Sequence, residues 1–312
     1  MKDKQIILFG TGGFAASQYE NLKNYFILYC VDNDPAKWEK TFHGHVIHSP
    51  DKLSTEKWEN SIIVVCSYAY YNIRLQLQRM GLRESEHFTD VRDFLSNTVE
   101  DFRSNCSDNR GNKIIGQAMA SNSKVIFRGQ NNIVEFGTNV VLEDTTITFT
   151  SNEGYCYIGD FSIYRGAMNI GQSGKVQIGE RLSVTKGCFI TTGEAVATIG
   201  DDCMFASNVE IRCDDAHPIY DIHTGEHINH SKSVSIGDHV WLANRAVVLK
   251  GAVIGSGSVI GHSSTVTSGI PNNCVAVGTP ARIVRRNIGW ERTPIPALSR
   301  GADRPYWNET LD

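Results

Sequence analysis

The stretch CDDAHPIYDIHTGEHINH, residues 213–230, gathers His217, His223, His227 and His230 beside Asp214 and Asp215. Imidazole changes charge near neutral pH and offers a lone pair to a proton or a metal ion, so such a cluster serves proton transfer or metal ligation. A plain surface loop with no chemical task is the third reading. A second set of chemistry-bearing residues lies near the start of the chain, where Gly10, Gly12 and Ala15 match the G-x-G-x-x-G/A fingerprint and Asp32 follows about 20 residues later. In that motif the glycines admit a phosphate and the acid holds a ribose hydroxyl. The same glycines also let any first strand turn tightly into its helix, so a bound nucleotide or nucleotide-sugar and a purely structural turn both remain open.

The elements that position the histidines announce themselves through a period of six. Ile236, Leu242, Val248, Ile254, Ile260 and Val266 fall at every sixth place, and Val240, Ala246, Ala252, Ser258 and Ser264 supply small or slender residues between them. A helix repeats its buried face every 3.6 residues and a flat strand every two, so this spacing predicts short strands that turn a corner at fixed intervals. Three hexads make one triangular turn of about 18 residues, the mark of a solenoid. Earlier coils keep the register in pieces: Phe136 and Leu142, then Ile158, Tyr164 and Ile170, then Ile178, Val184, Ile190 and Val196, then Ile199, Phe205 and Ile211. Each break predicts a bulge or loop. The gap from Ile211 to Ile236 predicts one excursion of about 19 residues within the loop 212–233, and it holds the histidine cluster.

Residues 1–96 read differently. QIILF, FILYCVD and SIIVVCS are apolar strands, and a helical YYNIRLQLQRMGL follows the third, which predicts a small Rossmann-like α/β domain built on a parallel sheet. The polar, aperiodic segment 97–112 reads as a linker, 113–288 as the solenoid, and 289–312 as a cap or tail covering the open end of the stack.

Composition bounds the function. A 312-residue chain that is 41% hydrophobic and 21% charged, with a formal net charge of -4, is globular and long enough for two domains. The mildly acidic balance without a basic stripe argues against nucleic acid as partner. No apolar run approaches a membrane span, and the short one at the start is no signal peptide, so a cytoplasmic location and no integral membrane segment are expected. Eight cysteines without a CxxC pair suit reduced, buried thiols.

The hexads, the DDAHP excursion, the string VSIGDHVWLANRAVVLKGAVIGSGSVIGHSSTV and the closing AVGTPARIV together resemble the hexapeptide-repeat acyltransferases, most nearly their sugar and polysaccharide O-acetyltransferase branch. The resemblance covers roughly residues 125 to 290. It implies an all-β left-handed parallel β-helix, an exception to right-handed crossovers, assembled as a homotrimer with acetyl-CoA in grooves between neighbouring subunits. It also implies His217 as general base. An imidazole can take the proton of a sugar hydroxyl as the oxygen attacks a thioester, which is activated enough to need no covalent enzyme intermediate. A backbone N–H is expected to hold the resulting oxyanion. Asp215 is the expected orienter of the His217 ring, with Asp214 or a backbone carbonyl as substitutes.

For the donor, the resemblance implies that Trp241 lines the groove near the thioester. Backbone amides at Asn244 and His262 would bond the pantetheine arm, Thr267 lies beside it, and Arg282 and Arg285, assisted by Arg286, would meet the nucleotide phosphates. The sequence departs from many relatives in LAN after the tryptophan and in Ser268 where lysine is frequent. Metal is not expected: His217, His239 and His262 do not reproduce the spacing of the zinc carbonic anhydrases built on similar coils. The expected acceptor is a sugar hydroxyl of a bacterial surface polysaccharide. Should that polymer be anionic, Lys232, Arg245 and Lys250 are the candidate contacts. Two alternatives stay open: an N-acetyltransferase of a nucleotide-linked amino sugar, whose front domain would hold the nucleotide, and a non-catalytic trimeric scaffold.

Overall fold

The computed structural model describes residues 4–293 and 304–311. Of the expected tail, residues 294–303 and 312 lie outside the described residues. The chain divides after Ser96 into two compact units.

The first unit is a sheet with two apolar faces. Strands β1 (Gln5–Phe9), β2 (Ile27–Val31), β4 (His45–His48), β5 (Ser61–Val65) and β6 (Phe88–Asp90) run parallel, and β3 (Thr41–Phe42) adds an antiparallel edge to β4. The order is β3-β4-β2-β1-β5-β6. Helices α1 (Gly13–Leu22) and α2 (Tyr70–Arg79) follow β1 and β5. Ile6 and Leu8 belong to one buried cluster and Ile7 and Phe9 to another, so β1 is covered on both faces. That is why the strand reads as an unbroken apolar run. Gly10 turns the chain out of β1 at φ +102°, where a Cβ would stand 2.7 Å from the Cys66 carbonyl oxygen of the neighbouring strand end.

The second unit is a three-faced stack of parallel strands. Face one carries Ile133–Phe136, Tyr155–Ile158, Lys175–Ile178, Val196–Ile199, Val234–Ile236 and Val253–Ile254 in succession. Face two carries Ser183–Lys186, Met204–Ser207, Trp241–Leu242, Val259–Ile260 and Val275–Gly278. Face three carries Cys188–Thr191, Glu210–Arg212, Val247–Leu249 and Thr265–Val266. The longer strands Val140–Phe149 and Ile163–Ile170 cross from face two to face three. All six residues from Ile236 to Val266 point inward and are buried, as are the small residues Val240, Ala246, Ala252, Ser258 and Ser264. Inside the prism, large aliphatics fill the centre of each face and small residues its edges. Each inward aliphatic contributes about 1.5–3 kcal/mol through burial.

The edges explain why the period holds. Between faces one and two, Phe161, Arg181, Asp202, His239, Gly257 and Asn273 each take a positive φ, one per coil, and Asn208, Arg245 and Ser263 do so between faces two and three. A left-handed residue at each corner reverses the strand in minimal length. Registered neighbours lie 20–22 residues apart in the early coils, 37 across the excursion and 18 afterwards. The early breaks are therefore bulges, one of them between Glu143 and Thr146. Val196 departs from the predicted register: Ala197 is the buried residue there, because Thr192, Gly193 and Glu194 lengthen the preceding corner.

Residues 97–112 are a cap rather than a linker. Asn97–Val99 pairs antiparallel with Val125–Phe127, Cys106–Ser107 pairs with Lys113 and Ile114, and Phe102 is buried in the core of the second unit. The first rung would otherwise expose apolar side chains and unpaired strand groups, and this segment covers them. At the other end Val275–Gly278 and Ala281–Arg285 form an antiparallel hairpin, and residues 287–293 and 304–311 lie against the coils as a C-terminal strap. Seven of the eight thiols are buried and unbridged, and Cys106 is exposed.

Gly166 gives the sharpest test of edge packing. It sits at φ +142°, and a Cβ there would lie 2.0 Å from the Cys188 carbonyl oxygen of the next coil. Gly166→Ala is expected to cost about 1–3 kcal/mol from backbone conformation alone, with the clash added, which a lowered Tm in thermal unfolding would register.

Candidate functional site

The excursion leaves face three after Arg212 and returns at Val234, and its ends are tied together where Lys232 N–H donates to the Cys213 carbonyl at 2.9 Å. Asp214 begins a tight turn. Its carboxylate accepts from Thr191 Oγ1 at 2.8 Å and from Ala216 N–H at 3.0 Å, Ala216 takes φ +62°, and His217 N–H donates back to Asp215 O at 2.7 Å. The turn throws the His217 side chain outward, where it is exposed.

Asn229 fastens the two arms of the loop. Its amide donates to Asp215 Oδ2 and to His217 O, both at 2.9 Å, and its Oδ1 accepts from Ile219 N–H at 2.6 Å and from His227 Nε2 at 2.8 Å. Lys250, from the next coil, bridges the Asp215 carboxylate and the Asn229 carbonyl. The Lys250 ammonium and then the Asn229 amide hold the Asp215 carboxyl below the usual carboxylate range. Asp215 thus gives its carboxylate to Lys250 and Asn229, not to the imidazole that it was expected to orient. Asp214 is likewise taken by Thr191 and Ala216. Among the described residues no side chain hydrogen-bonds the His217 ring, and Asp215 reaches His217 through the loop backbone.

A cavity of about 610 Å³ opens beneath the turn, lined among others by Gly193, Glu194, Asp214, His217, His227 and His230. The His227 and His230 rings meet edge to face at 4.2 Å. His223 stands apart in a turn capped by Asp221. No group of three or more His, Cys, Asp or Glu able to hold a metal ion occurs among the described residues. Of the three candidate cations, Lys250 is committed to Asp215, Lys232 is exposed where the loop rejoins the coil, and Arg245 stands on the edge between faces two and three. The Lys232 side chain runs beside Gly251, the residue next to Lys250.

The expected donor residues follow a line along face two. Trp241, Val259 and Val275 are registered neighbours, and Arg285 pairs with Val275 in the closing hairpin. Three strand spacings, about 14 Å, therefore separate Trp241 from Arg285. Asn244 and His262 flank this line on the edge between faces two and three, joined where Ser263 N–H donates to Asn244 O at 2.9 Å. Arg282 and Arg285 are exposed. Thr267 lies elsewhere, past Val266 on the edge from which the His217 loop leaves two coils earlier. Within one chain the loop and the Trp241 line occupy different sides of the prism.

A family model described as bacterial transferase hexapeptide (six repeats) matches residues 233–268, and one described as C2185-like, N-terminal matches residues 2–88. The polysialic acid O-acetyltransferase of Neisseria meningitidis is 37% identical over 166 residues, which cover 53% of this chain and 77% of that protein. The chain belongs to the hexapeptide-repeat sugar O-acetyltransferases. Another member, the polysialic acid O-acetyltransferase of Escherichia coli O1:K1 / APEC, is 42% identical over 139 residues, 45% of each chain, so the chain spans about half the length of that relative. The crystal structure of the polySia specific acetyltransferase NeuO matches with a TM-score of 0.57 at 38% identity, covering 60% of this chain and 88% of that one.

For a hexapeptide-repeat O-acetyltransferase, two features here escaped sequence reasoning. The Asn229–Lys250–Asp215 anchor joins residues 14 to 35 positions apart, and no local pattern announces it. At the N-terminus Asp32 is already engaged: its carboxylate accepts from Thr11 N–H at 2.8 Å, Thr11 Oγ1 at 2.6 Å, Asp34 N–H at 3.0 Å and Lys37 Nζ at 3.0 Å. Burial would raise this carboxyl, but those bonds outweigh it and hold it below its ordinary value. Asp32 therefore pins the β1 turn, chiefly through Oδ2, which takes three of the four bonds, while Oδ1 accepts only from Asp34 N–H. The anchor is open to test. Lys250→Ala is expected to lower kcat about tenfold or more by letting His217 wander, with a small change in Tm, as steady-state kinetics and a thermal melt would show.

Proposed function

We propose that the protein transfers the acetyl group of acetyl-CoA to a sugar hydroxyl of a bacterial capsular polysaccharide, with His217 as general base. The observation that carries this reading is the kinship with polysaccharide O-acetyltransferases, joined to a histidine presented over a cavity by a firmly anchored loop. The imidazole takes the hydroxyl proton as the oxygen attacks the thioester carbonyl carbon. The tetrahedral intermediate expels the CoA thiolate, and the imidazolium returns its proton to that sulfur. The nearest cysteine offers no rival nucleophile: Cys213 is buried, and burial pushes its thiol up to about 11.

The donor lies along the line from Trp241 to Arg285, with Asn244 and His262 at its side and the two arginines at the nucleotide phosphates. Because His217 and Trp241 stand on different sides of one prism, the complete site forms between copies. The protein works as a homotrimer of left-handed β-helices, and Thr267 meets the donor held by a neighbour. We read the N-terminal unit as Rossmann-like, a reading its strand order supports, and the transfer proposed here assigns it no nucleotide.

The relatives' acceptor makes polysialic acid the first polymer to try. Acetyl-CoA-dependent release of free thiol, run on polysialic acid and on neutral polysaccharides with the product examined for O-acetyl groups, tests the reading. Release with a polysaccharide supports it; acetylation only of an amino group, or absence of acetyl-CoA binding, sinks it.

A further inference from the structure

Behind Trp241 stands a column of rings that the transfer chemistry does not account for. The Trp241 ring lies 6.0 Å from that of Trp290 at 46°. Trp290 in turn stacks on His239 at 3.9 Å and 13°, and His239 on Tyr306 at 4.5 Å and 5°. Two of the four rings, Trp290 and Tyr306, come from the C-terminal strap. The column is held at each joint. Trp290 Nε1 donates to His239 O at 3.0 Å, and Trp307 Nε1 donates to Trp290 O at 3.2 Å. His239 is fully buried and meets Asp202 Oδ2 through Nδ1 at 2.7 Å. Arg292 donates to Asp202 Oδ1, to Ser183 Oγ and to the carbonyls of Arg181 and Cys203, all at 2.8 Å.

This is more fixing than a tail needs merely to cover apolar rungs. Trp241 sits on a two-residue strand whose other member, Leu242, fills the core, so the backbone sets where the indole begins but not how it is turned. Among the described residues its ring partner is Trp290, and the tilt of 46° leaves the rings meeting obliquely rather than flush. An aromatic wall beside a thioester helps transfer only while its angle is fixed, because small misplacement of reacting atoms is costly in rate.

We propose that the C-terminal strap forms the back of the donor groove, with Trp290 as a positioning residue that sets the Trp241 indole against the acetyl end of acetyl-CoA. The inference rests on the reading of Trp241 as a donor-groove residue. It assigns the buried His239 and Asp202, with the half-buried Arg292, to the support of that wall.

The test compares the full-length wild type with Trp290→Leu, Trp290→Phe and Trp241→Ala, measuring steady-state KM for acetyl-CoA and for the acceptor together with Tm. Trp290→Leu keeps apolar bulk but no ring, and is expected to raise the donor KM about tenfold while the acceptor KM stays unchanged. Trp290→Phe, with a smaller ring, should fall between it and wild type. A merely structural strap would lower Tm and active fraction without moving the donor KM. If Trp290→Leu does not fold, Trp290→Phe decides alone, and a donor KM equal to wild type overturns the proposal. Failure of the underlying reading looks different: Trp241→Ala would then leave the donor KM untouched as well.

Discussion

His217→Ala should lower kcat by about 10²–10⁴-fold, the range that a positioned general base supplies, while acetyl-CoA binding persists. The expectation follows from where the side chain stands. Its backbone is fixed on both sides, by its own N–H to Asp215 O and by its carbonyl to Asn229. Its ring faces the 610 Å³ cavity without a side-chain partner among the described residues. Removing the ring therefore breaks no described contact that holds the loop, and Tm should change little. Thiol release and acetyl-CoA titration on the same preparation separate the outcomes. A variant that keeps wild-type kcat would remove His217 as base, whereas one that loses both kcat and donor binding would mean that the loop also shapes the groove.

Asp202→Ala should be the most damaging single change to stability outside the apolar core. It strips the carboxylate from a fully buried imidazole and from Arg292 at once. Removing one partner of a buried ion pair costs about 3–5 kcal/mol, since the other is left uncompensated. A fall in Tm on the order of 10 °C is expected. Acid should imitate the mutation. Burial raises the Asp202 carboxyl, but His239 and Arg292 outweigh it and hold it below its ordinary value. A carboxyl depressed on folding contributes stability above its unfolded pKa of about 3.9, and that contribution is lost as pH falls through the folded value. Wild type should therefore lose strap stability below about pH 4, seen as a change in tryptophan emission, and Asp202→Ala should lack that step. Equal melting temperatures for the two proteins at neutral pH would refute the role given to this pair.

Much of the fold is legible because the hexads record geometry directly. Ile236 to Val266 fill the prism centre and Ala246, Ala252, Ser258 and Ser264 fill its edges, so residue size alone reports position. The excursion was legible as a missing multiple of the period. Val196 was misplaced because a corner can take extra residues without a change in composition. Residues 97–112 read as a linker since their apolar contribution to the core rests mainly on Phe102, with Val99 packed against it, and one or two apolar residues make no pattern. In the site, the motif located His217 but could not say who holds it. The sequence sets Asp215 two places from His217, whereas Lys250, 35 residues on, claims its carboxylate. His239 looked like one more coil histidine, yet its partners Asp202 and Trp290 lie 37 and 51 positions away. Side-chain pairing across coils depends on the chain length between them, which the excursion stretches to 37 residues at this point.

The hydrogen bond between Lys232 and Cys213 closes the excursion at its base, and the strands on either side remain in register with their neighbours. Because closing a flexible loop grows costlier only slowly with its length, the span from 214 to 231 behaves as a replaceable cartridge, docked on the coils at Thr191, Gly193 and Lys250. Selection for a new polysaccharide can therefore rewrite the acceptor side wholesale while the donor side stays still. A transplant of this span between relatives, with Thr191, Gly193 and Lys250 retained and a histidine kept at the His217 place, is expected to carry acceptor preference with it.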